Sequence, residues 1–132
     1  MDVFESATDI AESVRSGERD PVEVIDNYLE SIEETGDRTN AYVTVLDEKA
    51  REAARRVRKR VENGEDPPLA GVPVAVKDLS ETKEGVQNTK GLAPLADNVA
   101  DETSVTVRRL EEAGAVVVGT TNTPELGYTV RT

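Results

Sequence analysis
Apolar residues recur at spacings of three and four over the first third of the chain, the period of a helix with one buried face. Ala7, Ile10, Ala11 and Val14 form one such stripe, which predicts a short helix over residues 5–16 with Gly17 just beyond its end. The next start is plainer. Asp20-Pro21-Val22-Glu23 supplies an N-cap acid, a proline at the first helical position and a glutamate at the third. Val22, Ile25, Leu29 and Ile32 follow on one face, so a helix is predicted over 21–34, ending near Gly36. The period then shortens: residues 41–46, AYVTVL, are β-branched and read as a strand. Asp47 is placed to cap a third helix, whose inner stripe is Ala50, Ala54, Val57 and Val61 and which Gly64 closes.

Pro67 and Pro68 make a stiff loop, since two prolines cannot join a helix interior or a central ladder. Residues 72–77 then return to a strand pattern. Residues 79–101 have no strong period and hold the turn-formers Gly85, Asn88, Gly91 and Pro94. A connection of that length predicts a short strand or turn inside it and a functional reason for its presence. A helix over 103–113 carries Val107 and Leu110 inward, and Gly114 ends it. Ala115-Val116-Val117-Val118 is apolar without alternation, the pattern of a strand buried on both faces. Strand, helical crossover and strand make a right-handed unit joining 72–77 to 115–118. The class is α/β, with a helical lead-in over 1–40 and an α/β portion over 41–132 inside one domain.

Composition narrows the chemistry. The 132 residues suffice for one modest core and contain neither cysteine nor histidine. Disulfides, thiolate metal sites and the usual imidazole base are therefore excluded, and no metal or cofactor site is expected. Any acid–base chemistry falls to Lys, Asp, Glu or Tyr. The net charge is −11, from 16 basic and 27 acidic residues, which argues against a nucleic-acid-binding face. The run RRVRKR at 55–60 has no aromatic residue beside it and reads as the solvated face of a helix. No apolar stretch is long enough to span a membrane and MDVFESATDI does not read as a signal peptide, so a cytoplasmic location and no membrane partner are expected.

Residues 71–79, GVPVAVKDL, pose the chemical question: an apolar run ends on Lys77, followed at once by Asp78. Two readings are open. The lysine stem can pack on apolar neighbours while its ammonium reaches water or pairs with Asp78 or another carboxylate. Alternatively, burial can push the amine toward neutrality, so that it takes a proton from a serine hydroxyl. None of the six serines (Ser6, Ser13, Ser16, Ser31, Ser80, Ser104) lies in a glycine-rich elbow.

Three blocks in order carry a resemblance: Gly71, Pro73, Lys77 and Asp78; then Val107, Leu110 and Ala113-Gly114-Ala115; then Gly119, Thr121-Asn122, Glu125 and Leu126. With them the chain closely resembles the amidase signature family over nearly its whole length. The resemblance implies helices packed on a mixed β-sheet that is incomplete in this chain. It also implies a Ser–cis-Ser–Lys triad that hydrolyses amide carbon–nitrogen bonds other than peptide bonds in a small-molecule substrate. Lys77 is the residue that matches the family's base; the apolar run would then bury the amine and favour its neutral form. The family's two triad serines lie downstream of the last block. The chain is accordingly expected to be an N-terminal fragment, inactive alone, that self-associates or complements a C-terminal part. The resemblance leaves two alternatives: the glutamine-hydrolysing subunit of a tRNA-dependent amidotransferase, and a non-catalytic truncated remnant. The segment TNTPELGY looks more like general amidases than like that glutamine-hydrolysing protein. Two positions depart from the family: Thr120 stands where lysine is common, and Leu92 where a small residue usually follows the loop glycine.

High acidity, five lysines and 3% aromatics fit a protein adapted to high salt. Self-repulsion from a net charge of −11 is screened by salt, so the melting midpoint is expected to rise between low and molar potassium chloride. Thermal melts across that range check it, and a flat or falling midpoint contradicts the halophilic reading.

Overall fold
A computed structural model describes residues 5–132. Helix α1 spans Ala7–Arg15, with the Ser6 hydroxyl accepting from the Asp9 N–H at its N-cap. Helix α2 spans Pro21–Thr39, and Asp20 caps it as the sequence predicts, accepting from Val22 N–H at 2.9 Å. The helix runs past the predicted stop at Gly36. That glycine is not in the left-handed region; the chain turns instead at Asn40 (φ 46), whose N–H donates to the Gly36 carbonyl. Helix α3 spans Asp47–Glu62, and its N-cap is Leu46, without a side-chain cap bond, so Asp47 opens the first turn instead of capping it. Helix α4 spans Val105–Glu112.

Three strands form one mixed sheet in the order β1-β3-β2: β1 is Tyr42–Val45, β2 is Pro73–Lys77 and β3 is Val116–Thr121. Strands β2 and β3 are parallel neighbours, and β1 is antiparallel to β3. The predicted neighbours thus pair directly. Strand β3 reaches beyond the predicted 115–118 because Gly119-Thr120-Thr121 continues both ladders.

Helices α1, α2 and α3 cover one face of the sheet, bringing Ile10, Val14, Val24, Ile25, Ala54 and Val57 against β3 residues Val116 and Val118. The predicted stripes are right in direction and wrong in detail: Ala7 is exposed, Val24 is fully buried, and Val22, Ile32 and Leu110 are half-buried. The opposite face carries a smaller core, where Val107 of α4 and Val86 of the long loop meet Leu46, Val76 and Val117. Four of the five arginines of α3 are engaged with carboxylates, Arg56 with Glu52 at 3.4 Å. Arg58 pairs with the capping Asp20 at 2.8 Å, Arg51 with Asp26 at 2.7 Å, and Arg60 with Glu65 at 3.1 Å. Among the described residues no helix is long and apolar enough to cross a membrane.

Gly119 sits where β1 crosses closest. A Cβ there would lie 2.5 Å from the Thr44 carbonyl oxygen and 2.8 Å from the Tyr42 ring. Gly119→Ala is therefore expected to lower stability by about 1–3 kcal/mol, the usual cost of overpacking, read as a lower melting midpoint.

Burial also raises the Tyr42 phenol above its usual 10.0. The unfolded chain then loses its proton first as pH rises, so stability falls from about pH 10 upward. Tyr42→Phe is expected to remove that part of the alkaline decline, measured by denaturant melts between pH 8 and 11.

Candidate active site
Lys77 ends β2, directly opposite Thr121 at the end of the parallel strand β3. The carboxyl ends of parallel strands are where α/β sheets usually carry ligand and catalytic groups, because the connecting loops there can converge. Alternation along β2 sends Pro73, Ala75 and Lys77 to the helix-covered face and Val76 and Asp78 to the other. The helices cover β1 and β3 but stop short of the end of β2. Lys77 and Ala75 are consequently exposed, and the burial of the amine that the family resemblance implies does not occur in this chain. The Lys77 ammonium has no hydrogen bond or ion pair among the described residues.

Asp78 is the buried member of the pair, 1% exposed. It does not neutralise Lys77, since the two side chains leave opposite faces of the strand. Its carboxylate accepts from the Thr89 N–H at 2.8 Å, from the Thr89 hydroxyl, and from Asn88 Nδ2 at 3.4 Å. Its own N–H donates to the Thr121 carbonyl at 2.9 Å, extending the β2–β3 ladder by one step.

The long connection holds a short pairing of its own, as its length predicts. Gln87 and Val99 form an antiparallel bridge, Asn88 and Asn98 exchange backbone and amide bonds, and Ala93–Leu95 is a single 3-10 turn. Straps to α4 hold the loop from the far side. Ser104 Oγ donates to Glu81 at 2.6 Å, Thr82 Oγ1 donates to the Glu102 carbonyl, and Lys83 pairs with Glu111.

The segment after β3 packs on the same loop. A Cβ on Gly91 would meet the Pro124 and Thr123 carbonyl oxygens at 2.7 and 2.8 Å, and the Leu126 N–H donates to the Lys90 carbonyl. Asn122 turns the other way, donating its N–H to the Ala41 carbonyl and its side-chain amide to that of Asn40. Of the two departures from the family pattern, Leu92 is half-buried in the loop. Thr120 is buried, with a hydroxyl that has no partner among the described residues.

A groove of about 420 Å³ runs along the open face of β2, lined by Tyr28, Ser31, Thr35, Tyr42, Pro73 and Ala75 among others. A larger hollow of about 870 Å³, bordered by Asp26, Glu30, Glu33, Asp37 and Arg51, lies between α2 and the start of α3 and includes no residue of β2. None of the six serines hydrogen-bonds Lys77. Ser6 and Ser104 cap helices, and Ser13 and Ser16 donate to backbone carbonyls. What stands at the end of β2 is thus a free amine on a rigid strand, with no activated hydroxyl in reach of it among the described residues.

The sequence singled out Lys77 and not the hydrogen-bond system of its neighbour Asp78. A signal was available: an acid directly after a strand, with Asn88-Thr89 in a turn-rich segment ten residues on, is a pattern for a carboxylate that caps a loop.

Comparison with known proteins places this arrangement. The amidase family profile matches residues 23–132, and the chain belongs to that family, the amidase signature enzymes. Its relatives include an acylamidase from Rhodococcus erythropolis, 38% identical over 93% of this chain and 26% of that protein. A glutamyl-tRNA(Gln) amidotransferase subunit from Salinispora tropica is 46% identical over 91% of this chain and 24% of that protein. Among solved structures, a bacterial aryl acylamidase of the amidase signature family superposes with a TM-score of 0.88 at 32% identity, over 95% of this chain and 26% of that one. The chain spans about a quarter of the length of these relatives.

Proposed function
We propose that this chain supplies the lysine base of an amide hydrolase, and that Lys77 is that base. The observation that carries the reading is a lysine with no ion-pair partner among the described residues, fixed at the carboxyl end of a strand within the family-matched segment. In the reaction the neutral amine takes a proton from a bridging serine, which takes one from a nucleophilic serine attacking the amide carbon. The carbon–nitrogen bond breaks, the amine or ammonia leaves with a proton, and water then releases the carboxylate and restores the serine. On this reading both serines and the oxyanion donors lie outside the quarter of such an enzyme that this chain spans. The remaining part also has to cover Lys77, because burial is what favours the uncharged form that a base requires. The open face of β2 is where such a cover fits, and we read it as the surface for the complementing part of the enzyme.

The amidotransferase is a second reading, supported by the 46% identity to the Salinispora tropica protein. The segment TNTPELGY favours the general amidases, and the substrates separate the two: glutamine for the amidotransferase, simple amides for the amidase.

The test is a chimaera in which this chain replaces the matching quarter of the Rhodococcus erythropolis acylamidase, assayed for amide hydrolysis across pH. Lys77→Arg is expected to lower kcat by about 10³-fold or more, since guanidinium stays protonated at any workable pH and triad members act as a unit. Retention of most of the activity by the arginine variant would make Lys77 a structural cation and overturn the reading. The 132-residue chain alone is expected to show no hydrolysis, with or without Lys77.

A further inference from the structure
We propose that Asp78 is the positioning residue for Lys77, and that its buried carboxylate fixes the direction in which the lysine leaves the strand. The inference rests on the reading of Lys77 as the base. Asp78 is 1% exposed and carries no ion pair among the described residues; its partners are the N–H and hydroxyl of Thr89 and the amide of Asn88. A buried carboxylate held only by neutral donors is an expensive way to fill a space, since an apolar side chain would avoid the desolvation. What it supplies is geometry. The donors come from the loop and hold Asp78 down on the closed face, while its N–H is held by the Thr121 carbonyl at 2.9 Å. The Leu79 N–H donates back to the Lys77 carbonyl at 2.8 Å. Both peptides flanking Asp78 are therefore pinned, and the pleat leaves Lys77 one course, onto the open face.

The same bonds tie the residue after the lysine to the loop at 89–91. The Thr89 hydroxyl, besides donating to Asp78, accepts from the Gly91 N–H at 3.2 Å, and Gly91 packs against the Thr123 and Pro124 carbonyls. One carboxylate thus sets both the lysine and the segment at 89–91.

The test uses the 132-residue chain itself and two NMR readouts: hydrogen exchange of the Thr89 amide, and the Lys77 Cα and Cβ shifts, which report its backbone angles. In Asp78→Ala, Thr89 exchange is expected to rise at least tenfold and the Lys77 shifts to move toward averaged values, while those of Val74 and Val118 stay in place. Asp78→Asn, which can still accept from Thr89 N–H, is expected to restore most of both. Thr89→Val, which removes only the hydroxyl bond, is expected to fall between. Should Asp78→Ala fail to fold, the Asn and Val variants decide by the same readouts. Unchanged Lys77 shifts in a variant whose Thr89 exchange has risen tenfold would make Asp78 a loop staple only and overturn the proposal; so would an unchanged Thr89 exchange rate in Asp78→Ala. Neither readout depends on turnover. Failure of the base assignment appears in the Lys77→Arg chimaera, and failure of this inference appears here.

Discussion
Strand β3 is the constraint on which the rest depends. It pairs with both other strands, and Val116 through Thr120 are buried, so whatever it does in register is imposed on the whole sheet. Its pairing with β2 skips one residue: Val74 is opposite Val117, and Ala75 is opposite Gly119. Ordinary alternation gives Val116 and Val118 to the helices and Val117 to the smaller core on the other side. The skip brings Lys77 into line with Thr121, the last residue of β3. Gly119, next to the skip, has no side chain because Tyr42 and the Thr44 carbonyl already occupy that space.

From that register the asymmetry of Lys77 and Asp78 follows without any special attraction between them. Successive strand residues face opposite ways, and the two faces here are covered to different extents. The face toward α4 is sealed by a strapped loop, so whatever points that way must be apolar or fully hydrogen-bonded. Val76 meets the first condition and Asp78 the second. The face toward α2 is open at the end of β2, where Ala75 and Lys77 need neither. Two adjacent ionisable groups in one chain thus have environments that differ because of coverage alone.

How legible this was depended on the range over which each feature is decided. The cap at Asp20, the buried stripe of α3 and the double burial of 116–118 are settled within a few residues or by one period, and the sequence shows them. The end of α2 does not yield to the same reading, because glycine only permits a stop; the actual stop needs the left-handed turn at Asn40. Lys77 could be picked out by its place after an apolar run, whereas its exposure could not. Exposure depends on how far the helices reach across a sheet whose order, β1-β3-β2, runs out of sequence. The partners of Asp78 lie about ten residues away across a loop with no period, where only the side-chain types give a hint.

Departures from local preference collect in one place. Lys90 and Leu126 are non-glycine residues with left-handed backbone, at φ 54 and 49, and the Leu126 N–H donates to the Lys90 carbonyl. Each such residue costs on the order of 1–2 kcal/mol relative to a relaxed backbone. Beside them sit a carboxylate buried without a counter-ion and a lysine without a partner among the described residues. Away from the strand ends, α1, α2 and α4 carry side-chain caps, the strands carry β-branched residues and most arginines of α3 meet carboxylates. A chain selected only to fold would have little reason to concentrate strain, desolvated charge and a free amine at the carboxyl ends of β2 and β3. A site that must hold its side chains and loops in fixed relation does, because rigidity at such a site comes from contacts that over-determine the backbone. The Asp78–Thr89 bonds, the Gly91 approach and the Leu126–Lys90 bond are contacts of that kind, and they converge on the loop that follows β2.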